Sequence, residues 1–171
     1  MALIDESYFW GELELGNLFK NQNGNLLTEA GTKTVNELTL FINKYEPKYL
    51  EAMFGATLAA DMPAELIALI VNEETKTSPI ANYVYYFIMK SKASVTTQAG
   101  VIKNTVVNTQ IASAYDKMAS AWNEMVETNL KIHQDLYDTE TLEYTEPLSY
   151  LNDIFPNIDV DANIFNYCLS V

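Results

Sequence analysis

Apolar residues recur at helical spacing from about residue 34 onwards. The first such stripe has positions three or four residues apart, as on one face of an α-helix, at Val35, Leu38, Phe41, Ile42 and Tyr45. Pro47 is expected to break or restart this helix, because the residue before a proline disfavours the helical conformation. Gly55 is expected to end the turns that follow. A short helix beginning at Pro63 is predicted from the apolar positions Leu66, Ile67, Ile70 and Val71.

The clearest start signal for a helix is the pair Ser78 and Pro79. Serine caps a helix through its side-chain oxygen, and proline is favoured at the first helical position. The helix that follows, about 79–92, is apolar nearly all round from Tyr83 to Met89. A helix of that kind is normally the buried centre of a bundle, so this one is expected to lie in the core.

The longest element is predicted to be a helix over about 105–137. Its apolar residues keep a spacing of three or four, interrupted at Asn129, at Val107, Ile111, Ala114, Met118, Ala121, Met125, Ile132 and Leu136. A helix of roughly 30 residues spans about 45 Å, at 1.5 Å per residue. The threonine-rich stretch from Val95 to Gly100 is predicted to be a connection before it.

The two ends of the chain depart from the helical pattern. Residues 8–15 alternate acidic and apolar side chains at Glu12 to Leu15, which is the period of a half-buried strand. After Thr139, prolines separate short apolar clusters that are too apolar for a free tail. The predicted fold class is therefore mainly α, in one domain of 171 residues. A helical bundle of four or five helices, 29–138, lies between two extended or short-strand arms: an N-terminal arm, 1–28, and an acidic C-terminal arm, 139–171.

Large apolar side chains in the two arms are the candidate partner-binding residues. The C-terminal arm is expected to wrap the bundle or to pack on a neighbouring subunit, and the second arrangement would make a homo-oligomer. The candidates are Phe9, Trp10, Leu13, Leu15, Ile154, Phe155, Ile158, Ile164 and Phe165.

Charge is distributed unevenly along the chain. The sequence holds 23 acidic residues against ten lysines, with no arginine, and its net charge is -13. Residues 62–131 are neutral as a group, whereas residues 132–171 contain eight acidic residues and no lysine. A purely acidic segment repels nucleic acid and anionic membranes, so neither is expected as a direct partner. The segment is then either a solubilising surface or an arm that docks on a basic partner.

Side chains suited to catalysis or metal binding are scarce. His133 and Cys168 are the only residues of their types, too few for a zinc site of about four ligands. Leu130 stands where the Glu-x-x-His spacing of a di-iron bundle places a glutamate before His133. Asp159 begins a run like that of a calcium loop, but Ile164 stands where that loop requires glycine. No catalytic, cofactor or metal site is predicted, and the protein is expected not to be an enzyme.

Neither a signal peptide nor a membrane span is expected from the sequence. The N-terminus has no basic region followed by a long apolar stretch. The longest apolar run, Tyr83 to Met89, is far shorter than the roughly 20 residues that cross a bilayer.

Several segments follow one another in a recognisable order. They are Leu40-Phe-Ile-Asn-Lys-Tyr-Glu-Pro-Lys-Tyr-Leu50, Met53-Phe-Gly55, the Tyr-rich helix Ile80 to Met89, Thr97-Gln-Ala-Gly100 and Trp122-Asn-Glu-Met125. Their order, over roughly residues 36–130, resembles that of small head–tail connectors, or adaptors, of tailed phages and prophages. The resemblance implies a non-enzymatic helical bundle that forms a ring between portal and tail. It also implies other virion proteins as partners, and a place in the virion or the bacterial cytoplasm.

Two alternatives remain open on the residues alone. The first is a helical bundle that binds a small ligand, or an enzyme using tyrosines and carboxylates, in a pocket lined by the Tyr83–Tyr86 helix. The second is an adaptor or inhibitor whose acidic C-terminal arm docks on a basic protein surface.

Overall fold

The protein is mainly helical, as the sequence predicts. A computed structural model describes residues 2–15, 29–92, 94–97, 100–103, 114–138 and 143–144. The described helices are α1 (Glu29–Phe54), α2 (Ala56–Ala60), α3 (Ala64–Ile70), α4 (Pro79–Lys92) and α5 (Ala114–Leu136). Two short antiparallel hairpins pair β1 (Ser94–Thr97) with β2 (Gly100–Lys103) and β3 (Tyr137–Asp138) with β4 (Glu143–Tyr144).

Helix α4 is the central element of the bundle, since it packs against both α1 and α5. Its inward side chains are fully buried and meet apolar residues from the helices on either side. The core formed in this way includes Leu38, Ile42 and Tyr49 from α1, Ile80, Val84, Tyr85 and Ile88 from α4, and Ala121, Met125 and Val126 from α5. The predicted position of α4 in the core is therefore confirmed.

The boundaries of α4 follow from its capping residues. Pro79 is the first helical residue, and the Ser78 hydroxyl accepts a hydrogen bond of 3.2 Å from the backbone N–H of Ile80. Helix α1 ends at Phe54, and Gly55 then adopts a φ of 80°, which few other residues tolerate. Both boundaries are confirmed.

Replacing Ser78 with alanine is expected to lower the free energy of unfolding by about 1 kcal/mol, because the cap accepts an otherwise unpaired N–H. Urea unfolding followed by circular dichroism measures this loss. Ser91→Ala, at the exposed C-terminal end of the same helix, is the matched control. A loss no larger than that of the control would contradict the capping role.

The prediction that Pro47 breaks the first helix is wrong, since α1 continues through it. Proline cannot donate to the carbonyl four residues earlier, which here belongs to Asn43. Asn43 and Pro47 are both exposed, so the unpaired carbonyl lies on the side of α1 that faces solvent. The cost is small enough for a helix of 26 residues to form.

The N-terminal segment, residues 2–15, is not the strand that the alternation predicts. It forms two 3-10 turns, Glu6–Tyr8 and Gly11–Leu13. The Asp5 carboxylate accepts from the N–H of Ser7 at 2.8 Å, a local bond that competes with strand pairing. The segment packs on the bundle, and its buried apolar residues are Ile4, Tyr8, Phe9 and Leu15.

The connection predicted over Val95 to Gly100 is a β-hairpin instead, with Ser94 opposite Lys103 and Thr97 opposite Gly100. β-branched residues favour this pairing. The described part of α5 starts at Ala114, so the start of the long helix near residue 105 stays a prediction. Residues 104–113 lie outside the described residues, as does nearly all of the predicted C-terminal arm, so the proposed division into arms stays a prediction.

Candidate interaction surface

Six aromatic side chains from three helices form a continuous half-buried band. Tyr45 of α1 stacks on Phe87 of α4 with ring centroids 4.1 Å apart. On α5, Trp122 lies 4.8 Å from Tyr86 and 5.9 Å from Tyr83. We call this set the aromatic band: Phe41, Tyr45, Tyr83, Tyr86, Phe87 and Trp122, all of them partly exposed.

The helical spacing of the sequence places these rings side by side. Phe41 and Tyr45 are four residues apart on α1, and Tyr83 and Phe87 are four apart on α4, so each pair shares one face. Helix α4 buries one face in the core and is apolar on its flanks as well. Its flanking rings therefore remain at the surface, where they pack on those of α1 and α5.

Three lysines border the aromatic band. The Nζ atoms of Lys44 and Lys48 lie 5.1 and 5.5 Å from the centroid of the Tyr45 ring, and that of Lys90 lies 5.7 Å from the Tyr86 centroid. These distances fit cation–π contacts, each worth about 0.5–1 kcal/mol at an exposed site. One turn before Lys44, Leu40 is 69% exposed. The surface is thus apolar and positive at once, although the chain as a whole is strongly acidic.

A buried polar pair lies beneath the band and joins α1 to α5. The Tyr49 hydroxyl donates to Oδ1 of Asn129 at 2.5 Å, and both residues are fully buried. The Nδ2 atom of Asn129 has no hydrogen-bond partner among the described residues. Burial raises the pKa of Tyr49 far above its usual range, so the hydroxyl stays protonated and acts as the donor.

A buried carboxylate holds the N-terminal segment on the opposite flank of α1. Glu46 is 5% exposed, and its oxygens accept from the backbone N–H of Leu3 at 2.9 and 3.0 Å and from that of Ile4 at 3.3 Å. Burial raises the pKa of Glu46, while the hydrogen bonds from the N–H groups of Leu3 and Ile4 lower it. Glu46 thereby fixes the start of the chain to the middle of α1.

The same segment also contacts the loop between α3 and α4. The indole N–H of Trp10 donates to the carbonyl of Lys76 at 3.0 Å, and the Lys76 ammonium lies 5.0 Å from the centroid of the Tyr8 ring. Lys76, paired with the Glu73 carboxylate, adopts a positive φ of 52° at this turn. Burial, together with the Glu73 carboxylate, raises the pKa of Tyr8 to about 12.

A cleft of about 560 Å³ opens between the N-terminal segment, α4 and α5. Trp10, Glu12, Asn82 and Glu124 are among its lining residues. Partial burial raises the pKa of Glu124, and the neighbouring Glu12 and Glu127 carboxylates add to this rise, whereas a hydrogen bond from Asn82 opposes it. Its lining is mixed, since apolar side chains such as Leu69 and Ile70 stand with the carboxylates of Glu12 and Glu124 and the ammonium of Lys76.

The structure separates the predicted partner-binding residues into different environments. Phe9 and Leu15 are buried in the protein's own core, and Leu13 is partly buried. Trp10 is 55% exposed and is not among the core residues. The remaining predicted residues lie outside the described part of the chain: Ile154, Phe155, Ile158, Ile164 and Phe165.

Sequence reasoning missed the aromatic band as a surface. The signal was present in the α4 sequence, because a helix that is apolar on all sides cannot bury every side between two neighbours. The sequence predicts this helix as the buried centre of the bundle, and a ligand pocket lined by Tyr83–Tyr86 belongs only to one of the alternatives. Tyr85 is buried in the core, while Tyr83 and Tyr86 belong to the band.

The described residues include no group of three or more His, Cys, Asp or Glu side chains placed to hold a metal ion. No described helix is long and apolar enough to cross a membrane.

Comparisons with known proteins give no relative for this chain. No family model matches it, and neither the curated proteins nor the solved structures searched gave a match. The resemblance to head–tail connectors therefore stays a prediction.

Proposed function

We propose that this protein is a non-enzymatic structural protein that associates with copies of itself, in the manner of a phage head–tail connector. The observation that supports the proposal is the aromatic band, six partly exposed rings on three helices of one bundle. Monomeric proteins rarely leave a large contiguous apolar patch at the surface, and aromatic residues are enriched at protein–protein interfaces. Covering the band with another subunit would bury these rings.

A ring is the assembly that the proposal favours. A band on one side of the subunit that meets a different surface of the next subunit makes a head-to-tail contact, and such contacts close into rings when the rotation permits. The net charge of -13 would then keep DNA from binding as it passes. Other virion proteins would be the further partners, and the virion or the bacterial cytoplasm the location.

Negative-stain electron microscopy of the purified full chain tests this function. Closed rings of one diameter are the expected result. Particles of monomer size alone, or open filaments, would contradict a connector-like role, since neither could bridge a portal and a tail.

The cleft beneath Trp10 supports a second candidate, the binding of a small cationic ligand. An aromatic ring beside carboxylates suits a quaternary ammonium group. Choline is a suitable probe, and quenching of tryptophan fluorescence that is lost in Trp10→Ala is the expected result. Equal quenching in that variant would rule out the cleft as the site. A docking role for the acidic C-terminal arm on a basic protein remains a further proposal.

A further inference from the structure

We propose that the aromatic band and its lysines bind residues 145–171 of a neighbouring copy of this chain. The inference rests on the proposed self-association and names the segment that makes the contact. Residues 145–171 lie outside the described part of the chain.

The receptor surface selects a ligand that is both apolar and negatively charged. The rings of the band offer flat apolar area, and the ammonium groups of Lys44, Lys48 and Lys90 stand beside them. Helix α4 carries no acidic residue at all, and its last turn adds Lys92. On α1, Glu51 follows Lys48 by three residues, so the excess of positive charge is greatest along α4.

The C-terminal segment has the complementary chemistry. It contains the pair Ile154-Phe155 directly after Asp153, and the pair Ile164-Phe165 three residues after Asp161. Each pair is followed by asparagine or by proline and asparagine, so the segment presents two similar apolar units. No lysine occurs after residue 131, and therefore nothing in the segment repels the lysines of the band.

The segment is long enough to reach another subunit. The chain leaves the described structure at Tyr144, which pairs with Tyr137 just after the end of α5. Fully extended, the 27 residues that follow span at most about 97 Å, at up to 3.6 Å per residue. A contact with the next subunit in a ring is therefore within reach. Exchange of the same segment between identical subunits is a known route to assembly.

Charge reversal in the full-length protein tests the inference. Lys44, Lys48 and Lys90 are exposed, so the variant K44E/K48E/K90E keeps the core intact. Sedimentation velocity is expected to show self-association weakened about tenfold or more in this variant and in D153K/D159K/D161K, because like charges then face each other. The matched control is K33E/K117E/K131E, which changes the same number of exposed lysines elsewhere and is expected to associate like the wild type.

Mixing the two variants decides whether the contact is between subunits. The acidic band of the first variant is complementary to the basic C-terminal segment of the second. An equimolar mixture is therefore expected to regain the association that each variant has lost. No recovery on mixing would overturn the inference, because contacts within one chain cannot be restored by a second chain. If the wild type associates and both variants associate equally well, the named segment is wrong but the proposed function stands. If the wild type never associates, the proposed function fails as well.

Discussion

Replacing Glu46 with leucine is expected to lower the free energy of unfolding by about 3 kcal/mol, because hydrogen bonds to a charged group are worth about 1.5–3 kcal/mol each. The substitution leaves the N–H groups of Leu3 and Ile4 without their acceptor. Urea unfolding measures the loss. Hydrogen–deuterium exchange of residues 2–15 is expected to quicken at the same time, since this segment loses its attachment to α1.

Glu46→Gln is the matched control, because its amide oxygen can still accept from the same N–H groups. A loss of about 1 kcal/mol or less is expected, since one acceptor is kept and the buried charge is removed. Equal losses for the leucine and glutamine variants would show that the charge, and not the acceptor, holds the segment.

The pH dependence of the stability of the wild type relative to Glu46→Gln follows from the raised pKa of Glu46. The folded protein binds this proton more tightly than the unfolded chain, whose carboxyl has its ordinary pKa of 4.5. The resulting stabilisation is fully present below that pKa and is lost as pH rises through the raised pKa of the folded state. The stability of the wild type relative to Glu46→Gln is therefore expected to increase as pH falls from neutral towards 4.5. A decrease would contradict the assigned direction.

Tyr49→Phe is expected to lower the free energy of unfolding by about 2 kcal/mol, within the 1–3 kcal/mol typical of a buried polar atom left unpaired. The substitution removes the only donor to Oδ1 of Asn129 among the described residues. The Nδ2 atom of Asn129 already has no partner among them. The Asn129 side chain would then be a fully buried amide with no hydrogen bond in this part of the structure.

The double variant Tyr49→Phe with Asn129→Leu is the control that separates hydrogen bonding from packing. Replacing both partners by apolar groups of similar shape is nearly neutral or stabilising in other proteins. We expect the double variant to be at least as stable as either single variant and close to the wild type. Additive losses in urea unfolding would show that the two side chains contribute through packing alone.

The parts of the fold that the sequence predicts well are those set by local chemistry. The start of α4 depends on the Ser78 hydroxyl and the fixed φ of Pro79, and the end of α1 depends on Gly55. Each of these helix boundaries is determined by residues within a few positions of it. The position of α4 in the core also follows from local pattern, because an apolar helix must be covered.

Two of the errors arise because tertiary surroundings overrule local preference. Pro47 is tolerated because its missing hydrogen bond faces water. The N-terminal alternation does not form a strand, since no strand is paired with it in the described structure and the bundle offers it an apolar surface instead. The threonine-rich connection differs, since its β-branched residues themselves favour pairing. Its strand β1 pairs with β2, which begins three positions after β1 ends.

The most informative residues were the polar ones on apolar stripes. Glu46 falls four residues after Ile42 and Asn129 falls four after Met125, each on the inward face of its helix. A polar side chain at such a position needs a buried partner. The sequence shows that a partner must exist, but it cannot show that Leu3, Ile4 and Tyr49 supply it, because they lie 43, 42 and 80 residues away.

These buried contacts bear on the proposed assembly because they hold the band in place. The Tyr49–Asn129 pair joins the two outer helices beneath the rings, and Glu46 fixes the N-terminal segment to the other flank of α1. A surface built on packed helices needs little reordering when a partner covers it, which favours association.

Native mass spectrometry of the wild type and two exposed-leucine variants tests whether the aromatic band is the self-association surface. Leu40 directly precedes Phe41 of the band in the sequence and is 69% exposed. Leu69, which lines the N-terminal cleft, is 39% exposed and serves as the control. We predict one closed oligomer for the wild type and for Leu69→Glu, and mostly monomer for Leu40→Glu. A wild type that is monomeric at every concentration, or an oligomer lost in Leu69→Glu and kept in Leu40→Glu, would contradict the account.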